Sequence, residues 1–179
     1  PLRKQFKSVP IEHPIGRRVI IWGRPGKTTL GKVIAQKYGL PFIEIDWVRF
    51  KPNWSLRSGN EASEIVERQI AKSSEGWVFD GHPSPATMTF ADTVILINLP
   101  WLTTIWTYLK RGIRRSWNGE EIAGGNRETF RLNFASRKSH LWYTLKTRNR
   151  NHRELIEPLI REGVSYFVID SWQELHEFY

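Results

Sequence analysis

The stretch "IIWGRPGKTTLGK", residues 20–32, decides the fold of this chain. A short apolar strand, a glycine turn and an amphipathic helix follow one another there, and the turn ends in Gly26, Lys27 and Thr28. The phosphate-binding pattern G-x-x-x-x-G-K-[ST] has the same ending and lies between a strand and a helix. Here Gly23 precedes Gly26 by three residues, so the turn is two residues shorter than that pattern.

A loop of this kind binds phosphate through backbone N–H groups and the N-terminus of the following helix. In such a loop Lys27 reaches the β and γ phosphates, the Thr28 hydroxyl binds Mg²⁺, and Thr29 adds a contact to the α phosphate. Glycines keep side chains out of the way of the ligand. A glycine turn also precedes many helices that bind no ligand, so the motif alone leaves an ordinary turn as the alternative.

The remainder of the chain alternates short apolar strands with amphipathic helices. Strands are predicted at residues 17–22, 41–46, 76–80, 93–99 and 164–170, and helices at 28–38, 59–73, 102–115, 139–160 and 173–179. This alternation predicts an α/β fold in which helices cover both faces of a five-stranded parallel sheet. Ligands of such sheets bind beyond the carboxyl ends of the strands, where the prediction places Asp46 and Asp80.

The composition fits one globular domain with a strongly positive charge. The 179 residues include 27 lysines or arginines against 18 acidic residues, a net charge of +9. Residues 110–153 hold twelve basic residues against three glutamates, which favours a polyanion such as nucleic acid or a nucleotide phosphate. A solvated helical surface is the alternative. The chain has no cysteine, which excludes disulfides and thiolate sites, and no apolar run approaches the ~18 residues of a membrane span.

Six motifs in order resemble the adenylate-kinase-like P-loop proteins, above all the small bacterial group often labelled topology modulation proteins. They cover most of residues 17–179 and read "GRPGKTT", "DWVRFKPNW", "WVFDGHP", "ADTVILINLP", "LKRGIRR" and "GNRETFR". The resemblance implies a three-layer P-loop NTPase fold of nucleoside-kinase type, formed by residues 1–179 as a single domain. It also implies that ATP and Mg²⁺ are cofactors and that a small molecule accepts the γ-phosphoryl group. We expect a cytoplasmic protein, which the lack of cysteine fits.

The resemblance also implies a role for each matching residue. Asp80 corresponds to the acidic residue that holds Mg²⁺ through water, with a turn residue as the alternative. Asp46 falls beside the acceptor pocket, where a carboxylate orients or deprotonates a hydroxyl, unless it only caps a strand. The phosphate loop, residues 23–29, consists of Gly23, Arg24, Pro25, Gly26, Lys27, Thr28 and Thr29.

Three arginines match a mobile basic lid, expected at about residues 101–153, that closes over the phosphates in these kinases. They are Arg111, Arg114 and Arg115. Phosphoryl transfer needs positive charge at the γ-phosphate and exclusion of water, and the planar guanidinium suits this task. Solvated surface residues are the alternative for each of the three.

The shortened phosphate loop leaves three interpretations open. Relatives usually read "GxxGSGKTT", so this loop lacks two residues and two N–H donors. Either two residues are missing from the sequence, which the intact strand and helix favour, or the loop is truly short and the protein is a catalytically degenerate pseudoenzyme. The third interpretation is a nucleic-acid-binding protein that uses the basic tract 110–153.

Overall fold

The computed structural model of the chain describes residues 15–132, 140–147 and 152–177. The strands are β1 (Arg18–Gly23), β2 (Phe42–Glu44), β3 (Trp77–Asp80), β4 (Thr93–Ile97), β5 (Glu121–Ile122), β6 (Asn126–Arg127) and β7 (Ser165–Ile169). The helices are α1 (Lys27–Tyr38), α2 (Ile45–Arg49), α3 (Gly59–Ala71), α4 (Pro85–Phe90), α5 (Trp101–Asn118), α6 (His140–Lys146), α7 (His152–Ile156) and α8 (Trp172–Glu177). Short 3₁₀ helices lie at Pro52–Trp54 and Glu157–Leu159.

The main sheet has five parallel strands in the order β2-β3-β1-β4-β7, as the alternation of strands and helices predicted. Strands β5 and β6 pair separately as a small antiparallel hairpin. No helix among the described residues is both long and apolar enough to cross a membrane.

Helices cover both faces of the sheet because alternate residues of each strand point in opposite directions. On one face Ile21 of β1 packs in a cluster with Leu30 of α1. On the other face Ile20 packs with Val66 of α3. Fully burying a side chain of this size contributes about 1.5–3 kcal/mol. The result is a three-layer α/β/α domain whose central strands β1, β3 and β4 are mostly apolar and buried.

The carboxyl ends of the strands meet at one edge of the sheet and define where a ligand can bind. Gly23, the last residue of β1, pairs in register with Ile97 of β4. Asp80, the last residue of β3, pairs with Ile21 on one side and with Glu44 of β2 on the other. The phosphate loop and two carboxylates therefore lie along the same edge.

The structure corrects the prediction that residues 41–46 form one strand. Strand β2 ends at Glu44, and Asp46 lies in the first turn of α2 instead of at a strand end. Ile45 and Val48 both pack against the core cluster beside α3, which is helical spacing. The apolar run "FIEI" made this turn look like a continuing strand.

The structure also adds α4, which the sequence did not predict. Ser84 caps it: the Thr87 N–H donates to the Ser84 hydroxyl (3.2 Å), and the Ser84 N–H donates to the Thr87 hydroxyl (2.9 Å). Pro85 occupies the first turn, where its missing N–H has no helical partner to lose. The helix predicted at 139–160 consists, in its described part, of α6, α7 and a 3₁₀ helix that contains Pro158. Residues 133–139 and 148–151 of the basic tract lie outside the described residues.

Candidate active site

The phosphate loop joins β1 to α1 through only three residues, 24–26. Gly26 takes a backbone φ of 116°, a conformation that favours glycine. The first helical hydrogen bond runs from the Leu30 N–H to the Gly26 carbonyl (2.9 Å). The N–H groups of Lys27, Thr28 and Thr29 precede it, so they have no carbonyl of their own helix to bond. This first turn of α1 keeps the donors that bind an anion at a helix N-terminus.

The first two residues of the phosphate loop contact the end of strand β4. Gly23 has a φ of 110°, and a β-carbon at this position would lie 2.1 Å from the Ile97 carbonyl oxygen. The next N–H group, that of Arg24, donates to the same carbonyl (2.7 Å). Two of the predicted loop residues thus anchor the turn to the end of β4, and the Arg24 N–H is already bonded within the protein.

The Arg24 side chain is buried. It is 8% exposed, and its Nε has no hydrogen-bond partner in the described part of the chain. Burial lowers the pKa of Arg24, and the nearby Tyr108 opposes this effect. Because arginine stays protonated in proteins, a buried positive charge lies close to the loop.

Lys27, Thr28 and Asp80 form the centre of the site. The Thr28 hydroxyl donates to one oxygen of Asp80 (2.5 Å), and the Lys27 ammonium lies 3.9 Å from the other. Asp80 is 4% exposed, whereas the Lys27 side chain keeps 24% of its surface. The structure therefore brings together the residues that the sequence assigned to the β and γ phosphates and to Mg²⁺.

Two neighbouring carboxyl groups at this edge have raised pKa values. Burial raises the pKa of Asp80, and Lys27 and Thr28 only partly offset it. Burial and the charge of Asp80 likewise raise the pKa of Glu44. Glu44 was missed in the sequence because it was read as an interior strand residue, and only its place two residues before Asp46 hinted at the site.

Asp46 lies within electrostatic reach of this centre, though it is itself exposed. Its charge raises the pKa of both Asp80 and Glu44 and favours the charged form of Arg111. From α2, Asp46 therefore acts electrostatically on the charged groups of this site.

Helix α5 carries three arginines that face the phosphate loop across a cavity of about 1260 Å³. We call Arg111, Arg114 and Arg115 the α5 arginines. Burial, followed by the charge of Arg115, lowers the pKa of Arg111, and its guanidinium lies 4.8 Å from the ring centre of Tyr108. Arg115 pairs with Glu128 at 3.1 Å, and the more exposed Arg114 pairs with Glu120 at 3.2 Å. All three line the cavity together with residues 25–29 of the loop, whereas Gly23, Arg24, Asp46 and Asp80 do not.

Aromatic side chains also line this cavity. Trp106 of α5 and Trp172 and His176 of α8 line it. Both tryptophans are partly exposed, at 59% and 37%. The sequence hinted at them only through its nine tryptophans, since α5 and α8 lie far apart along the chain.

The Thr28 hydroxyl and the Asp80 carboxylate are suitable ligands for Mg²⁺. Magnesium prefers oxygen ligands and takes the rest of its coordination from water and phosphate, so Thr28 and Asp80 suffice on the protein side. Among the described residues, no group of three or more histidines and carboxylates is arranged around a common metal position. A cage made wholly by protein is therefore not part of the described structure.

No protein-family model and no curated protein sequence matches the chain. Among solved structures, it is similar to a gluconokinase from Sinorhizobium meliloti 1021, with 17% identity and a TM-score of 0.53 over 93% of this chain and 89% of the other. It is also similar to shikimate kinase from Bacteroides thetaiotaomicron, with 18% identity and a TM-score of 0.48 over 90% and 93%. The fold is therefore the three-layer α/β fold of P-loop kinases, as predicted.

Proposed function

We propose that the protein binds MgATP at the phosphate loop and transfers the γ-phosphoryl group to a small-molecule acceptor. The observation that carries this proposal is the contact of the buried Asp80 with Lys27 and Thr28, which line the same cavity as the α5 arginines. The likeness to adenylate-kinase-like proteins, and to the topology modulation group within them, supports the same reading.

Each residue then has a task that its position allows. The N–H groups at the start of α1 and the Lys27 ammonium bind the β and γ phosphates. Thr28 and Asp80 would hold Mg²⁺, which would supply positive charge to the phosphates. Arg111 and Arg115 place positive charge opposite the loop, where negative charge accumulates on the transferring group.

The nucleotide base fits the aromatic end of the cavity. Trp106 and Trp172 offer flat apolar surfaces on which a purine can stack, and stacking of this kind contributes about 1–3 kcal/mol per base. The triphosphate would then run from α8 towards Lys27. Asp46, which does not line this cavity, would face the acceptor hydroxyl. We propose that these parts form one domain and that the region of about 101–153 acts as its lid.

The proposal is tested by titrating the protein with MgATP in a calorimeter. We expect saturable binding that Lys27→Ala weakens by about 10- to 100-fold, because a hydrogen bond to a charged group contributes ~1.5–3 kcal/mol. Lys72→Ala, which removes an exposed lysine at the end of α3, is the matched control. Equal affinity of the wild type and Lys27→Ala would overturn the proposal. Binding without turnover against any acceptor would favour the pseudoenzyme.

A second candidate function is the binding of single-stranded nucleic acid. The observation that favours it is a stripe on α5 where exposed Trp106 and Trp117 accompany Lys110, whose ammonium lies 4.9 Å from the Trp106 ring centre. Proteins that bind single strands combine such aromatic platforms with positive charge. This function needs neither Lys27 nor Mg²⁺, and therefore the Lys27→Ala variant separates the two candidates.

A further inference from the structure

The β5-β6 hairpin, residues 121–127, packs against the segment that follows α2. Gly124 approaches so closely that a β-carbon there would lie 2.6 Å from the Phe50 carbonyl oxygen. Gly124 thus permits close contact with residues 50–54, which we call the acceptor-side segment.

Asn126 fastens the hairpin to this segment. It is 4% exposed, and its side-chain oxygen accepts from the Trp54 N–H (2.7 Å). Its side-chain nitrogen donates to the carbonyls of Lys51 (3.0 Å) and Ala123 (2.5 Å). An asparagine amide has two N–H donors, so both are used and the orientation of the side chain is fixed.

The acceptor-side segment is strained where Asn126 holds it. Asn53 and Trp54 have φ values of 61° and 56°, which is uncommon for asparagine and a true outlier for a residue as bulky as tryptophan. Such a conformation costs about 1–3 kcal/mol and persists only when its surroundings hold it. The hydrogen bond that the Trp54 N–H donates to Asn126 supplies that support, together with the edge-to-face contact of Trp54 with Phe50, at 5.4 Å between ring centres.

The opposite end of the hairpin is tied to α5. Glu120 precedes the hairpin and pairs with Arg114 (3.2 Å), and Glu128 follows it and pairs with Arg115 (3.1 Å). Glu128 is 7% exposed, so this second pair lies where water screens it little. The hairpin thus connects α5, which lines the cavity beside the phosphate loop, to the segment that follows α2. Helix α2 carries Asp46.

We propose that Asn126 is a positioning residue that couples α5 to the acceptor-side segment, so that nucleotide bound at α5 orders the acceptor side of the site. This inference rests on the proposed function, because it requires that α5 contacts the triphosphate. Asn126 itself touches neither ligand in this arrangement; it acts through the backbone of Lys51 and Trp54.

The test is amide hydrogen exchange of the whole chain with and without MgATP. In the wild type we expect MgATP to slow exchange in residues 50–56 by about tenfold, within the ordinary range of coupling between two sites. Asn126→Ala should abolish this effect and keep the protection that MgATP gives to residues 23–30. The matched control is Arg127→Ala, which removes only the exposed pair of the same hairpin with Glu121.

Each outcome decides between the two claims. Protection of residues 23–30 alone in the wild type, or unchanged protection of 50–56 in Asn126→Ala, overturns the coupling and leaves MgATP binding intact. No protection anywhere overturns the proposed function and the coupling with it. Should Asn126→Ala fail to fold, Gly124→Ala is the second variant. Its β-carbon disturbs the contact between the hairpin and the Phe50 carbonyl, and we expect residues 50–56 to lose the same protection by MgATP.

Discussion

The buried position of Asp80 disfavours a negative charge in the ligand-free protein. The same position suits a carboxylate that binds a cation. Its carboxyl group is 4% exposed, and its pKa is raised by burial in spite of Lys27 and Thr28. The charge of Asp46 raises this pKa further, and that of Arg111 lowers it. Ionisation of Asp80 therefore costs free energy of folding, and a cation beside Thr28 would recover it.

We expect Asp80→Asn to stabilise the protein at neutral pH in the absence of ligand. A carboxyl group whose pKa is raised on folding adds stability below its unfolded pKa of about 4 and loses it as the pH rises through the folded value. Asparagine can still accept the Thr28 hydrogen bond without this loss. Thermal unfolding in a chelating buffer should show a higher Tm for the variant at pH 7, with the difference vanishing near pH 4.

A lower Tm of Asp80→Asn at pH 7 would mean that the Lys27 and Thr28 contacts outweigh the cost of burial. The effect is measurable, since ~1 kcal/mol shifts Tm by about 2–4 °C in a chain of this size. Glu44→Gln is the internal comparison, because burial and Asp80 raise the pKa of Glu44 in the same direction.

At the scale of elements, the turn between β1 and α1 depends on Gly23. In Gly23→Ala the added β-carbon would lie 2.1 Å from the Ile97 carbonyl oxygen, and the backbone φ of 110° disfavours alanine. We therefore expect backbone strain and overpacking to lower the free energy of unfolding by about 2–4 kcal/mol. The control is Gly59→Ala at the start of α3, where no atom lies within 4 Å of the added β-carbon. That change should leave stability equal or raise it by up to ~1 kcal/mol. Urea unfolding of both variants checks the contrast, and equal stability would show that Gly23 is free to change.

The length of the phosphate loop leads to a prediction of its own. Inserting Ser-Gly between Gly26 and Lys27 adds two N–H donors to the loop. Each hydrogen bond to a charged phosphate contributes about 1.5–3 kcal/mol to binding. Ordering the two added residues costs ~1–2 kcal/mol each. We expect MgATP to bind about tenfold more tightly in calorimetry. The same insertion after Gly163, where no atom lies within 4 Å of an added β-carbon, is the control.

Unchanged affinity of the lengthened loop would mean that the α5 arginines already replace the missing donors. Comparing the lengthened loop with the wild type requires that the natural protein has the short loop. Trypsin does not cleave between Arg24 and Pro25, so one tryptic peptide, residues 19–27, spans the loop. Its mass distinguishes a short loop from a sequence that lacks two residues.

How far the sequence predicted these elements depends on whether the deciding interactions are local. The strand–turn–helix at residues 18–38 follows from an apolar run, glycines and helical spacing, and it was predicted to within a residue. Helix α2 was missed because its few apolar residues continue a strand pattern, and only packing against α3 makes them helical. The contact of Asn126 with Trp54 spans 72 positions, and no local pattern encodes it.

Across the whole molecule, the net charge of +9 attracts polyanions whether or not a specific site exists. Part of this charge is engaged in the described structure: Arg115 pairs with Glu128, and Arg153 pairs with Asp170. Exposed Lys110 and Arg131 remain available to solvent. Retention on nucleic acid at low salt therefore does not by itself identify a nucleic-acid-binding protein.

The two candidate functions respond differently to salt. Binding to a single strand through Z phosphates weakens with a slope of about −0.7Z in log K against log salt, so about four contacts lose roughly 50-fold between 50 and 200 mM. We expect oligonucleotide binding, measured by fluorescence anisotropy, to fade over this range without sequence preference and to be unaffected by Lys27→Ala. MgATP binding should persist at 200 mM, because the loop and Asp80 are partly shielded from solvent. Sequence-dependent oligonucleotide binding that survives 200 mM salt and is lost in Trp117→Ala would favour the nucleic-acid function, since the exposed α5 stripe would then be a recognition surface.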